Sequence, residues 1–123
     1  MAAGGYNEDA LAQGTWAASD YTLPFWPTID LFIYFSHALV ATPPVGWIDA
    51  GHANCAPVLG TFIAEWGEGA RVCARLFARR KTAETAAESL AALARWHGFD
   101  GWLVRMLLLV CTSACQSEYV SAA

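Results

Sequence analysis

The chain has 123 residues, 56% of them apolar and 13% aromatic, and carries a net charge of −4. That length suits one ordinary domain, and that apolar content excludes a disordered chain. The acidic balance, with no basic stripe interleaved with aromatics, argues against a nucleic-acid partner.

The first 28 residues mix Gly, Thr, Ser and Pro with scattered aromatics and read as a loop segment, residues 1–28. Their opening, MAAGGYNEDALAQG, has neither a cationic start nor a long apolar core. No secretory signal is expected, and the chain is expected in the cytosol. Ile29 to His37, IDLFIYFSH, is a continuous apolar, β-branched and aromatic run that ends in polar residues. Such a run predicts a strand covered on both faces, as in a parallel sheet. Two prolines in TPPVGW stop it, and VGWIDAGHAN is long enough for a short helix. Pro57 to Trp66, PVLGTFIAEW, predicts a second strand, apolar until Glu65 and Trp66.

After a GEG turn, residues 70–80 have helical spacing, and residues 82–97 predict a clearer helix with Ala87, Leu90, Ala91, Leu93 and Ala94 on its apolar side. Thr82 can cap its start, and Gly98 stands where a left-handed C-terminal cap is wanted. The cluster Arg79, Arg80 and Lys81 reads as a solvated helix cap. FDGWLV, residues 99–104, predicts a third strand. Three strands separated by helical crossovers predict an α/β fold with parallel pairing. The apolar run at 102–111 is half the length a membrane span needs and contains Arg105, so no membrane partner is expected.

In parallel α/β folds, binding groups gather at the carboxyl ends of strands, because the loops there vary while the layers beneath stay packed. Those ends offer Ser36 and His37 after the first strand and Glu65 and Trp66 after the second. His37, Glu65 and Trp66 are the candidate substrate-binding residues. Each has a plainer alternative: a hydrogen-bonded structural histidine, a carboxylate held by an arginine or by backbone amides, and a core tryptophan. Asp100, at the start of its strand, reads as structural. The six tryptophans suit a core and a sugar cleft equally well. Cys55, Cys73, Cys111 and Cys115 show no CxxC pair and read as free thiols. A metal site on Cys111 and Cys115 lacks the paired spacing of structural zinc sites, so neither metal nor cofactor is expected.

GGYNEDALAQGT, FWPTIDLFIYFSH, PPVGWIDAGHANC, PVLGTFIAEW and GFDGWLV, in this order and with similar spacings, resemble the cytosolic endo-β-N-acetylglucosaminidases of glycoside hydrolase family 85. The resemblance runs from about Gly4 to Val104. It implies a fragment of a (β/α)8 TIM barrel, with residues 29–104 as a partial barrel domain. It also implies hydrolysis of the chitobiose core of N-linked glycans by a substrate-assisted mechanism, in which the 2-acetamido oxygen attacks the anomeric carbon. A glutamate protonates the leaving oxygen, and an asparagine two residues before it orients the acetamide. The resemblance places that pair just after the GWLV strand, where this chain has Arg105 and Leu107. Both catalytic groups are then absent, and the chain is expected to be inactive alone. Residues 105–123 read as a tail foreign to the family, from a retained intron or a shifted frame. The alternative is a non-catalytic fragment that binds glycans or another protein.

Overall fold

A computed structural model describes residues 23–36 and 38–106, except the side chain of Trp66. In chain order the described elements are a 3-10 turn (Trp26–Thr28), β1 (Phe32–Ile33), β2 (Val40–Ala41), α1 (Val45–Ala53), β3 (Val58–Ala64), α2 (Trp66–Leu76), α3 (Arg80–His97) and β4 (Gly101–Met106).

β3 is the centre of one mixed sheet. β4 runs parallel along one edge, in register from Leu59↔Gly101 to Ala64↔Met106. The other edge is shared. β1 lies parallel to the amino half at Phe32↔Val58 and Ile33↔Leu59, and β2 lies antiparallel to the carboxyl half at Val40↔Phe62 and Ala41↔Thr61. Backbone bonds fix this division: the carbonyls of Pro57 and Leu59 accept from Phe32 and Tyr34, and the Ile63 N–H donates to Leu39, whereas the Val58 carbonyl accepts from Asp100.

The predicted parallel α/β pattern is present in β1, β3 and β4, with helices between them, but several bounds differ. β1 is far shorter than Ile29–His37, because β2 returns to occupy the rest of the same edge of β3. The two prolines therefore follow β2 and not β1, and Pro44 is the N-cap of α1. The GEG stretch is not a turn: α2 starts at Trp66, directly off β3. Gly69 permits this, since a β-carbon there would come within 2.6 Å of the Ala64 carbonyl carbon. β4 starts at Gly101 and continues through Arg105 and Met106, two residues past the predicted end of the strand.

α3 begins at Arg80, so Thr82 is inside it. The Thr82 hydroxyl lies 2.7 Å from both the Leu76 and the Arg79 carbonyl oxygens, and donates back toward the end of α2. Arg79, Arg80 and Lys81 are exposed where α2 gives way to α3, and Arg80 pairs with Glu84 one turn on. The less exposed stripe of α3 contains Ala83, Ala86, Leu90, Ala91, Ala94 and His97, each three or four residues from another, while Ala87 and Leu93 face outward.

Two buried clusters hold helices to sheet. Ile48, Val58, Ala94 and Phe99 form one, Phe62, Ala64 and Cys73 the other, and Trp102 packs against both. The Trp102 indole N–H donates to the Leu90 carbonyl at 2.8 Å, and its ring meets Phe99 edge-on at 5.0 Å. Phe32 stacks on Trp47 at 5.0 Å with Trp26 alongside, which seats α1 against β1.

The ends of α1 and α3 make opposite choices at a left-handed residue. Gly98 closes α3 with φ 80°, donating its N–H to Ala94, whereas Cys55, one residue past the α1 cap, holds φ 59° with a β-carbon. Gly98→Ala should cost about 1 kcal/mol from backbone strain alone, as nothing lies within 4 Å of the added methyl. Cys55→Gly should gain roughly 0.5 kcal/mol by relieving the same strain. Urea midpoints at constant slope check both, and a midpoint unmoved in either variant would show that the turn relaxes.

Candidate functional site

Alternation along β3 puts Phe62 and Ala64 toward the helices, where they pack with Cys73, and so puts Thr61 and Ile63 on the opposite face. Glu65, just past β3, continues the second series. On β4, Leu103 and Arg105 stand in register with Thr61 and Ile63 and share their face. Glu65 and Arg105 are thus diagonal neighbours at the carboxyl ends of two parallel strands, and Arg105 Nε lies 3.2 Å from Glu65 Oε1. The Glu65 side chain is 14% exposed and that of Arg105 56%. With one partner more than half exposed, such a pair contributes little to stability, about 0–1 kcal/mol. Its chief effect is orientation: a nearly buried anion fixes how the cation stands at the strand ends.

Of the residues marked out by sequence, His37 and Leu107 lie outside the described residues. Trp66 is the first residue of α2, with its side chain also outside the description. Ser36 is 1% exposed. Its N–H donates to Thr61 Oγ1 at 3.4 Å and its own Oγ accepts from the Ala38 N–H at 3.1 Å, so the hydroxyl shapes the turn between β1 and β2. Glu65 takes the plainer of its sequence alternatives, a carboxylate held by an arginine, and that arginine is Arg105. The register of β3 against β4 is what supplies it, and no periodicity in either strand alone carries that register.

The amino ends of the same strands hold a different cluster. Asp100 Oδ2 accepts from the Val58 N–H and from His52 Nε2, both at 2.8 Å. The backbone N–H of Val58, then the His52 hydrogen bond, hold the Asp100 carboxyl below its ordinary pKa. A shallow depression of about 350 Å³ lies here, lined by His52, Cys55, Ala56, Pro57 and Asp100. It is at the opposite end of the strands from Glu65 and Arg105. Burial pushes the Cys73 thiol up, as befits a core residue. Cys111 and Cys115 lie outside the described residues, and among the described residues no group of three His, Cys, Asp or Glu side chains could hold a metal ion. No described helix is long and apolar enough to cross a membrane.

The model of glycosyl hydrolase family 85 matches residues 6–113, a span that includes Arg105 and Leu107. Over 103 residues the chain is 45% identical to cytosolic endo-beta-N-acetylglucosaminidase 1 of Arabidopsis thaliana, covering 84% of this chain and 15% of that protein. It is 43% identical to the cytosolic endo-beta-N-acetylglucosaminidase of Gallus gallus and 41% identical to that of Homo sapiens, covering in each case 84% of this chain and 14% of the relative. The chain thus spans 14 to 15% of the length of these curated relatives.

Because folding lowers the Asp100 pKa, the unfolded chain takes up that proton more readily than the folded one. The stabilisation is complete above the ordinary carboxylate range and is lost as pH falls through the depressed value. Asp100→Asn should therefore unfold at lower urea than the parent near neutral pH, with the difference narrowing in acid. A gap that stays constant down to strongly acid pH would show that the charge of this carboxylate does not anchor the strand ends.

Proposed function

The chain belongs to glycosyl hydrolase family 85, and from that premise we propose that it supplies part of an endo-β-N-acetylglucosaminidase cleft in the cytosol, receiving the chitobiose core of N-linked glycans without the pair of groups that cuts it. β1, β3 and β4 with their helices are read as one arc of a (β/α)8 barrel, a form that takes about 250 residues in full. The names and cytosolic location of the relatives support the ligand and the compartment.

The observation that carries the reading is the engagement of Arg105 with Glu65. Arg105 stands where the family resemblance expects the asparagine that orients the substrate's acetamide. An asparagine side chain both accepts and donates hydrogen bonds, so it can hold an amide N–H while the amide oxygen attacks. A guanidinium only donates. It also sets a fixed positive charge beside the anomeric carbon, where positive charge develops as the glycosidic bond breaks. Leu107, at the glutamate position, has no proton to give the leaving oxygen, and that loss by itself removes about 10² to 10⁴-fold of rate. In this reading Glu65, whose Oε1 lies 3.2 Å from Arg105 Nε, is the partner of that cation and not the acid.

The purified chain should release no glycan from a high-mannose glycopeptide, and should do so no better as Glu65→Gln. It should nonetheless bind a core chitobiose glycan, with saturable quenching of its tryptophan fluorescence. Release that survives Leu107→Ala and disappears with Glu65→Gln would overturn the reading by making Glu65 the acid. Absence of any saturable quenching would remove its binding half.

A further inference from the structure

We propose that Arg105 recognises an anionic substituent of a glycan, a sugar carboxylate or a sugar phosphate monoester, with Glu65 as its positioning residue; the inference rests on the reading of these strand ends as a glycan cleft and gives Arg105 a group that the neutral chitobiose core does not carry.

The geometry supports this in three steps. First, Glu65 lies opposite Nε, and the two terminal amino groups of a guanidinium carry four further N–H donors. Among the described residues Glu65 is the one acceptor at Arg105. Second, the Arg105 side chain is 56% exposed and stands on the face of β4 opposite the helices, at the carboxyl ends of β3 and β4. Third, Glu65 is 14% exposed and sits at the junction of β3 with α2, so it is fixed by backbone on both sides. A flexible arginine has no preferred bearing. One whose Nε is held by a nearly buried carboxylate presents its terminal edge in one plane.

A planar pair of donors on a cation matches the two oxygens of a carboxylate or a phosphate. Arginine to a carboxylate or phosphate also brings together two full charges in a bidentate geometry, which a neutral hydroxyl or acetamide of chitobiose does not offer. Glu65 itself opposes the ligand, since its charge lies beside the anion. Its removal therefore has a predictable sign, opposite to that of removing Arg105.

The test titrates the full chain calorimetrically with three probes: N-acetylneuraminic acid for the carboxylate, mannose 6-phosphate for the phosphate, and N,N′-diacetylchitobiose as the neutral sugar. At least one anionic probe should bind saturably and weaken as salt rises. Arg105→Gln should lower the preference for the anionic over the neutral probe at least ten-fold. Arg105→Lys, which keeps the charge and loses the fork, should recover only part of it. Glu65→Gln, which keeps a hydrogen-bond acceptor at Nε and removes the opposing charge, should tighten the anion a few-fold. A merely structural pair would not show these opposite signs. Circular dichroism of each variant separates lost binding from lost fold, and Arg105→Lys and Glu65→Gln are the conservative pair if Arg105→Gln unfolds. An anionic preference that is absent, or that survives Arg105→Gln, overturns the inference. Chitobiose binding without that preference removes the inference and leaves the glycan-cleft reading standing, and anion binding without chitobiose does the reverse.

Discussion

The register of β4 against β3 is the constraint on which the rest of the described structure depends. It runs unbroken over six residue pairs, from Leu59↔Gly101 to Ala64↔Met106. Its start is fixed at the amino end, where Asp100 uses both its backbone N–H, to the Val58 carbonyl, and its carboxylate, to the Val58 N–H. Side chains alternate along a strand, so a slip of one residue would carry every side chain of β4 to the other face. Trp102 would leave the helix-covered core, and Arg105 would be turned away from Glu65. A carboxylate at one end of the sheet thus decides what stands at the other.

The tryptophans show how the same side chain type is divided between uses. Trp102 joins the two buried clusters and satisfies its indole N–H on the Leu90 carbonyl of α3, while Trp26 and Trp47 seat α1 beside Phe32. These three hold helices to sheet. Trp96, on the outer side of α3, is 85% exposed. Composition counts all of these alike, and only their packing distinguishes them.

Glu65 and Arg105 couple the fold to the proposed chemistry. Each is the natural product of its own strand's alternation, and neither has an obvious purpose alone. Together they form an anchored cation at the strand ends, in the place where the family resemblance expects a side chain that can accept a hydrogen bond. On the proposed reading, an acceptor at that position would serve an acetamide and a pure donor an anion.

The amino-acid sequence by itself determined the alternation of strands and helices, the parallel pairing class, the left-handed cap at Gly98 and the family. Each of these is written in local periodicity, in a residue's own backbone preference or in a string of adjacent residues. It did not yield β2, whose two residues are extended only because the free half of the β3 edge offers them partners. Nor did it yield the early start of α2, which depends on how closely Gly69 approaches Ala64, or the short extent of β1. The Glu65–Arg105 pair is the sharpest case. Forty residues separate its members in the chain, and their meeting is decided by the hydrogen-bond register between two strands, a property that exists only once the sheet has formed.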